Sequence, residues 1–153
     1  KISIALQEAG LEVATRSLDE DPEEDVQAFI ADDDGELGLW YRLAPMTFLG
    51  GTLLGQGPVR DPFEPAALGS AVLHGPVSGD WHRRFSRLAE GRAARSVSSP
   101  QDLAEAVCDL IAPDRAALLA HHGWQVVSGG AELSDRLVAM TLARVPLPKD
   151  AAL

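Results

Sequence analysis

Residues 47–76 read TFLGGTLLGQGPVRDPFEPAALGSAVLHGP and hold the pattern that decides the fold. Residues 46–49 form an apolar run that is typical of a buried strand, and residues 71–74 form a second one. A glycine-rich loop and a short helix beginning at Asp61-Pro62-Phe63-Glu64 connect them, with Asp as the N-cap and Pro in the first turn. In a parallel sheet, this loop, the helix N-terminus and both strand ends meet at one edge, where α/β folds bind anionic ligands.

Short strands and helices alternate along the rest of the chain, which predicts a Rossmann-like α/β fold with a mostly parallel sheet and helices on both faces. Residues 1–145 are predicted to form one domain, followed by a loose tail at 146–153. The predicted strands are 11–17, 26–30, 46–49, 71–74 and 93–97. The predicted helices are 2–9, 35–44, 61–69, 79–90, 99–111, 113–127 and 131–144, with Ser128-Gly129-Gly130 expected to separate the last two.

Composition limits the classes of function. The 153 residues include 23 acidic and 13 basic side chains, a net charge of −10 that disfavours a nucleic-acid partner. The single cysteine, Cys108, excludes an internal disulfide and is expected to be a buried, inert thiol. His121 and His122 are adjacent and so point in different directions on a helix, which predicts no metal site there. The first residue is Lys1 rather than Met, and we interpret the chain as a fragment.

Two segments carry a resemblance to a known family. GELGLWYRLAPMTFLGGTL at 35–53 and DPFEPAALGSAVLHGP at 61–76 resemble the C-terminal domain of 3-deoxy-D-manno-octulosonic acid (Kdo) transferases, lipopolysaccharide-building glycosyltransferases of the GT-B fold. The likeness runs from about residue 1 to residue 144. The family pattern GGHNPLEP is replaced here by GQGPVRDPFEP, one residue longer, with Arg60-Asp61 in place of His-Asn. This departure indicates a divergent branch and leaves the donor sugar open.

The resemblance implies a division of labour between two Rossmann-like domains. The C-terminal domain holds the donor, CMP-Kdo, without a metal or other cofactor, and the N-terminal domain holds the lipid A precursor and the catalytic base. This chain would then be an N-terminally truncated donor half with no catalytic residue, which binds CMP weakly and transfers nothing alone. Its sheet is expected to lack strands or to be completed by self-association. The full-length enzyme is expected at the cytoplasmic face of the bacterial inner membrane, and the fragment is expected to be soluble.

Most of the predicted donor-binding residues lie in or beside the glycine loop. Glu64 is interpreted as the acceptor for the ribose hydroxyls of CMP, or as the third residue of a helix capping box. Gly50, Gly51 and Thr52 allow close approach of the backbone to the donor, or simply turn the chain. Arg60 is interpreted as a clamp for the donor phosphate or carboxylate, or as a solvated loop residue.

The other predicted site residues have comparable alternatives. Asp61 shares the altered motif with Arg60. Gly35 and Glu36 open a helix whose amides favour phosphate, although the preceding run of aspartates would repel it. His74 ends a strand and is predicted to line the cleft.

Two other functions stay open at this point. The chain could be a non-catalytic α/β binding or assembly module derived from a transferase. Alternatively, the transferase could use another nucleotide sugar, such as a UDP-sugar.

Overall fold

The structure, a computed structural model, describes residues 1–142 and 144, with side chains for all of these except 130–136. It contains two compact units, which are Lys1–Trp40 and the part of the chain that begins at Tyr41. The predicted tail at 146–153 lies outside the described residues.

The first unit contains a short parallel strand pair. Helix α1 (Ile2–Glu8) is followed by Gly10, whose φ of +83° lets the chain reverse after the helix. Strand β1 (Val13–Thr15) then pairs with β2 (Ala28–Ile30). A 3₁₀ turn at Asp34–Glu36 leads into α2 (Leu37–Leu43), which contains the boundary between the units.

The second unit is a three-stranded parallel sheet with helices packed on it. Its strand order is β3-β4-β5, and each of its strands is followed along the chain by at least one helix. The strands are β3 (Met46–Phe48), β4 (Ala71–His74) and β5 (Ala94–Ser96). The helices are α3 (Phe63–Ala67), α4 (His82–Glu90), α5 (Pro100–Leu110) and α6 (Pro113–Leu142).

The core lies on both faces of the central strand β4. Leu73 belongs to a cluster with side chains of α5 and the first half of α6, whereas Val72 belongs to a cluster with side chains of α3 and α4. Both residues are fully buried, as expected for the middle strand of a covered parallel sheet. The predicted α/β class with parallel strands and flanking helices is therefore confirmed, although the strands form two ladders rather than one sheet.

Two expectations from the sequence are wrong. Helix α6 runs without interruption through Gly129 and Gly130, because a glycine costs a helix only about 1 kcal/mol and Val126 and Val127 pack into the core just before them. Cys108 is exposed, because α5 directs Ala106 and Leu110 towards the core.

The carboxyl ends of β3 and β4 are joined through one buried threonine. The Thr52 hydroxyl donates to the Leu49 carbonyl at 2.6 Å and accepts from the Gly75 amide at 2.7 Å. The Thr52 carbonyl accepts from the Val77 amide at 2.8 Å. These three hydrogen bonds fix the start of the glycine loop against both strand ends.

Gly75 is required by this junction. A Cβ at Gly75 would lie 2.3 Å from the Thr52 carbonyl oxygen and 2.4 Å from the Leu53 Cα, and both of these are backbone atoms. We expect Gly75→Ala to lower the free energy of unfolding by about 1–3 kcal/mol, the usual cost of overpacking, as measured by urea denaturation.

Gly50→Ala is the matched control, because a Cβ at Gly50 would meet nothing within 4 Å. Its unfolding free energy should stay within about 0.5 kcal/mol of wild type. Equal effects of the two substitutions would show that the close contact at Gly75 does not constrain the fold.

Candidate functional site

The glycine loop leaves β3 and folds back on itself before it enters α3. Gly51 has a φ of +79°, and a Cβ there would lie 2.7 Å from the Pro58 carbonyl oxygen, so the two ends of the loop touch at this glycine. Among the described residues, the amides of Gly50 and Gly51 donate to no protein acceptor. Gly50 is exposed, which leaves the loop with backbone donors at the carboxyl edge of the sheet.

The second half of the loop is clamped by the start of α4. The Trp81 indole donates to the Val59 carbonyl at 3.0 Å, and Arg84 forms an ion pair with Asp61. The Arg84 guanidinium also lies about 5 Å from the ring centres of both Trp81 and Phe63, within the range of cation–π attraction. Asp61 is nearly buried and accepts a 3.0 Å hydrogen bond from the Phe63 amide.

Asp61 therefore stabilises the start of α3 and the end of the loop, and the sequence predicted the first of these two roles. Its carboxylate does satisfy a free amide at the N-terminus of α3, but the helix begins at Phe63, one residue later than expected. The ion pair with Arg84 lies across 23 positions of sequence, and no local pattern indicated it. Both oxygens of Asp61 are thus engaged by protein groups.

Glu64 lies in the first turn of α3 with an exposed side chain. Its carboxylate accepts no hydrogen bond from any described residue, so the capping-box interpretation of Glu64 is not observed. The helix beneath it is held closely against α6, since a Cβ at the buried Gly123 would lie 3.3 Å from the Ala66 Cβ. Glu64 is thus an open carboxylate on a firmly packed helix.

The phenol of Tyr41 is influenced by two charged residues of the candidate site, Arg60 and Glu64. The side chain is buried, and burial raises the pKa of its phenol. The Glu64 carboxylate raises that pKa further, whereas the Arg60 guanidinium lowers it. Arg60 and Glu64 therefore both act on the same phenol. The sequence reasoning missed Tyr41, although it is the only tyrosine in the chain and lies in the GELGLWY segment.

His74 ends β4 at the same edge of the sheet. Its Nδ1 lies 2.7 Å from the Gly75 carbonyl oxygen, and its ring packs on Phe85 at a centroid distance of 4.7 Å. The structure places Gly50, Gly51, Thr52 and His74 at this edge, and their role in donor binding stays a prediction. Thr52 itself is fully buried, and its hydroxyl is used within the protein.

Gly35 and Glu36 lie in the first unit, where they already have protein partners. The Gly35 amide donates to the Asp33 carboxylate at 2.8 Å, and Glu36 forms a 2.9 Å ion pair with Arg16. The pocket beside them has five acidic side chains and one arginine in its lining, so an anion there would meet repulsion. Their assignment to donor binding stays a prediction.

No group of three or more His, Cys, Asp or Glu side chains with the geometry of a metal site occurs in the part of the chain that the structure describes. Within the same part, no helix is both long and apolar enough to cross a membrane. The prediction of a metal-independent reaction stays a prediction.

The Asp61–Arg84 pair generates a first test. Removing Arg84 leaves the nearly buried Asp61 carboxylate without its counter-ion, so Arg84→Gln should destabilise the fold by about 1–3 kcal/mol. A double-mutant cycle with Asp61→Asn, followed by urea denaturation, isolates the coupling between the two side chains.

Arg83→Gln is the control for the cycle, because Arg83 is an exposed neighbour that forms no ion pair with any described residue. It should change stability by no more than about 0.5 kcal/mol. A coupling energy near zero would mean that the pair does not hold the loop.

The single tyrosine allows a second test of the site. Glu64→Gln should lower the pKa of Tyr41 and Arg60→Gln should raise it, as measured by ultraviolet absorbance of the phenolate. Because the pKa is raised in the folded state, the associated stability is present below the ordinary tyrosine pKa. It is lost as the pH rises through the folded value.

Tyr41→Phe is the control, since it removes the titration and should flatten the fall of unfolding free energy above about pH 10. Shifts of the same sign for Glu64→Gln and Arg60→Gln would contradict the placement of the two charges around the phenol.

Comparison with known proteins supplies independent findings. No family model matches the chain. A curated relative, the 3-deoxy-D-manno-octulosonic acid transferase of Haemophilus influenzae, is 28% identical over 125 residues, which are 80% of this chain and 29% of the relative. This chain therefore spans less than a third of that relative's length.

The fold has a solved counterpart. The crystal structure of the C-terminal CMP-Kdo binding domain of WaaA from Acinetobacter baumannii superimposes with a TM-score of 0.72 at 24% identity, covering 80% of this chain and 64% of that one. The resemblance noted in the sequence is thus confirmed: the chain is similar in sequence to a Kdo transferase and in fold to the WaaA C-terminal domain.

Proposed function

We propose that this chain binds CMP-Kdo and forms the donor-binding part of a glycosyltransferase that transfers Kdo to a lipid A-type acceptor. One observation carries the proposal. Glu64 presents an open carboxylate at the edge of the sheet where α/β folds bind ligands, and it acts with Arg60 on the same Tyr41 phenol. The similarity to a Kdo transferase and to a CMP-Kdo binding domain supports this choice of donor.

Glu64 accepts hydrogen bonds from the ribose in this proposal. An ionised carboxylate has two oxygens and no donor, so it suits two neighbouring hydroxyl groups, which both donate. Such bonds to a charged acceptor are stronger than bonds between neutral groups. Glu64 has no competing hydrogen-bond partner among the described residues, so the ribose does not displace an existing contact.

Arg60 and the loop amides bind the anions of the donor. CMP-Kdo carries a phosphate and a sugar carboxylate, and a guanidinium can bind either group with two parallel hydrogen bonds. The Gly50 and Gly51 amides add neutral donors without a side chain in the way. Asp61 does not contact the donor in this scheme, because Phe63 and Arg84 already occupy its oxygens. His74 lines the same edge.

The chemical step needs a group that this chain does not contribute. The acceptor hydroxyl loses its proton to a base in the remainder of the longer enzyme, and its oxygen attacks the anomeric carbon as the bond to CMP breaks. Arg60 and the loop amides stabilise the charge that develops on the departing phosphate. The full enzyme works at the cytoplasmic face of the inner membrane, and this chain alone binds donor without transferring sugar.

Binding of two nucleotides to wild-type protein and to Glu64→Gln tests the role of Glu64. Wild-type protein should bind CMP about tenfold more tightly than 2′-deoxy-CMP, because the deoxy ligand leaves the carboxylate short of one hydrogen bond. Glu64→Gln should bind CMP more weakly, and the difference between the two nucleotides should shrink. Calorimetric titration gives the affinities, and amide shifts should cluster at residues 50–64.

Glu105→Gln is the matched control, because Glu105 is an exposed carboxylate on α5 that has no partner among the described residues. It should leave both affinities unchanged. A preference for UDP over CMP would instead indicate another nucleotide sugar. No amide shift at 50–64 with either nucleotide would favour the non-catalytic binding or assembly module.

A further inference from the structure

A pocket lies at the amino ends of the strands of the three-stranded sheet, whereas the glycine loop lies at their carboxyl ends. The glycine loop follows the carboxyl end of β3, whereas Arg92 precedes the amino end of β5, and all three strands are parallel. Arg92 lines a pocket of about 300 Å³, at the lower end of the range for small-molecule sites. The complete lining is Arg92, Arg95, Asp109, Leu110, Arg115, Leu118, Leu119 and His122.

The charges of this pocket do not cancel. One carboxylate oxygen of Asp109 forms an ion pair with Arg95 at 2.6 Å, and the other forms an ion pair with Arg115. Two guanidinium groups therefore share one negative charge. Arg92 is exposed, and no described residue accepts a hydrogen bond from its guanidinium. The imidazole of His122 is oriented by a contact of 3.4 Å between its Nδ1 and the Arg92 carbonyl. The pocket thus has an excess of two positive charges.

The backbone of Arg92 adds a second observation. Arg92 follows the end of α4 with a φ of +50°, in the left-handed region where helices normally place glycine or asparagine. An arginine at this position gains nothing for the turn and carries a conformational cost. The turn itself therefore does not favour an arginine at this position.

The floor of the pocket is apolar. Leu110 is buried, Leu119 is half-buried and Leu118 stays 59% exposed beside the arginines. A free phosphate or sulfate would leave the exposed surface of Leu118 in contact with water. A ligand that covers Leu118 and also neutralises Arg92 needs an anionic head joined to a short apolar group.

We propose that this pocket binds an organic phosphate ester with an apolar chain, separately from the donor site. The phosphate oxygens accept hydrogen bonds from the Arg92 guanidinium, with Arg95 and Arg115 contributing positive potential. The apolar chain lies over Leu118 and Leu119. The ligand is either a soluble ester or the phosphate head of a membrane lipid, since both present the same chemistry.

Hexyl phosphate is the probe for the pocket. Amide shifts should appear at Arg92, Leu118 and His122, and hexyl phosphate should bind more tightly than inorganic phosphate by roughly fourfold for each methylene that becomes buried. Arg92→Gly should weaken hexyl phosphate binding about tenfold. It should not lower the free energy of unfolding, because glycine suits the backbone at this position.

Arg83→Gln is the control for lost positive charge and should bind hexyl phosphate as wild type does. CMP should not compete with hexyl phosphate, which separates this result from the fate of the proposed donor site. Equal affinity for inorganic and hexyl phosphate would overturn the proposal, as would unchanged binding by Arg92→Gly.

Vesicles distinguish the two sources of the ester. Binding to phosphatidylcholine vesicles that contain phosphatidic acid, lost in Arg92→Gly, supports a lipid headgroup. Binding of hexyl phosphate without vesicle binding supports a soluble ester. Vesicle binding that Arg92→Gly leaves intact counts against the pocket as the lipid site.

Discussion

The hydroxyl group of Thr52 connects the two strand ends on which the candidate site depends. It donates to the end of β3 and accepts from Gly75 at the end of β4, and it does so with no exposure to solvent. An unpaired hydroxyl buried there would cost about 1–3 kcal/mol, so both partners must be present together. This requirement fixes the start of the glycine loop at the carboxyl ends of β3 and β4. The amides of Gly50 and Gly51 donate to no acceptor in the described part of the chain, because other hydrogen bonds already secure the loop.

The two carboxylates near α3, those of Asp61 and Glu64, have different surroundings. Asp61 is drawn inward by the Phe63 amide and by Arg84, and Arg84 is itself held between the Phe63 and Trp81 rings. Glu64 lies one turn further on, has no such partner among the described residues and faces solvent. Carboxylates three residues apart on the chain thus have different tasks, because only one of them points at the clamp formed by α4.

Local signals predicted local structure well. Strand β4 was predicted at its observed bounds because three apolar residues and His74 lie between Ser70 and Gly75. The helix predicted at 99–111 is observed as α5, and the Ser99 hydroxyl caps it by accepting from the Asp102 amide at 3.0 Å. Long-range contacts were not predictable in this way. The ion pair of Arg84, the burial of Tyr41 and the uninterrupted α6 depend on packing between segments that are distant in sequence. Cys108 was misplaced because its exposure depends on which face of α5 meets the core.

The distribution of charge removes an apparent obstacle to an anionic ligand. Residues 1–40 contain 12 acidic and two basic side chains, whereas residues 41–153 contain 11 of each. The net charge of −10 is therefore a property of the first segment, and the segment with the glycine loop is neutral overall. Salt screens exposed charges over about 10 Å, so the charges nearest to a ligand affect it most. A neutral segment whose positive groups are all arginine except one lysine, Lys149, suits ligands that carry phosphate. The same acidic total that argues against nucleic acid is thus compatible with a nucleotide bound at the carboxyl edge of the sheet.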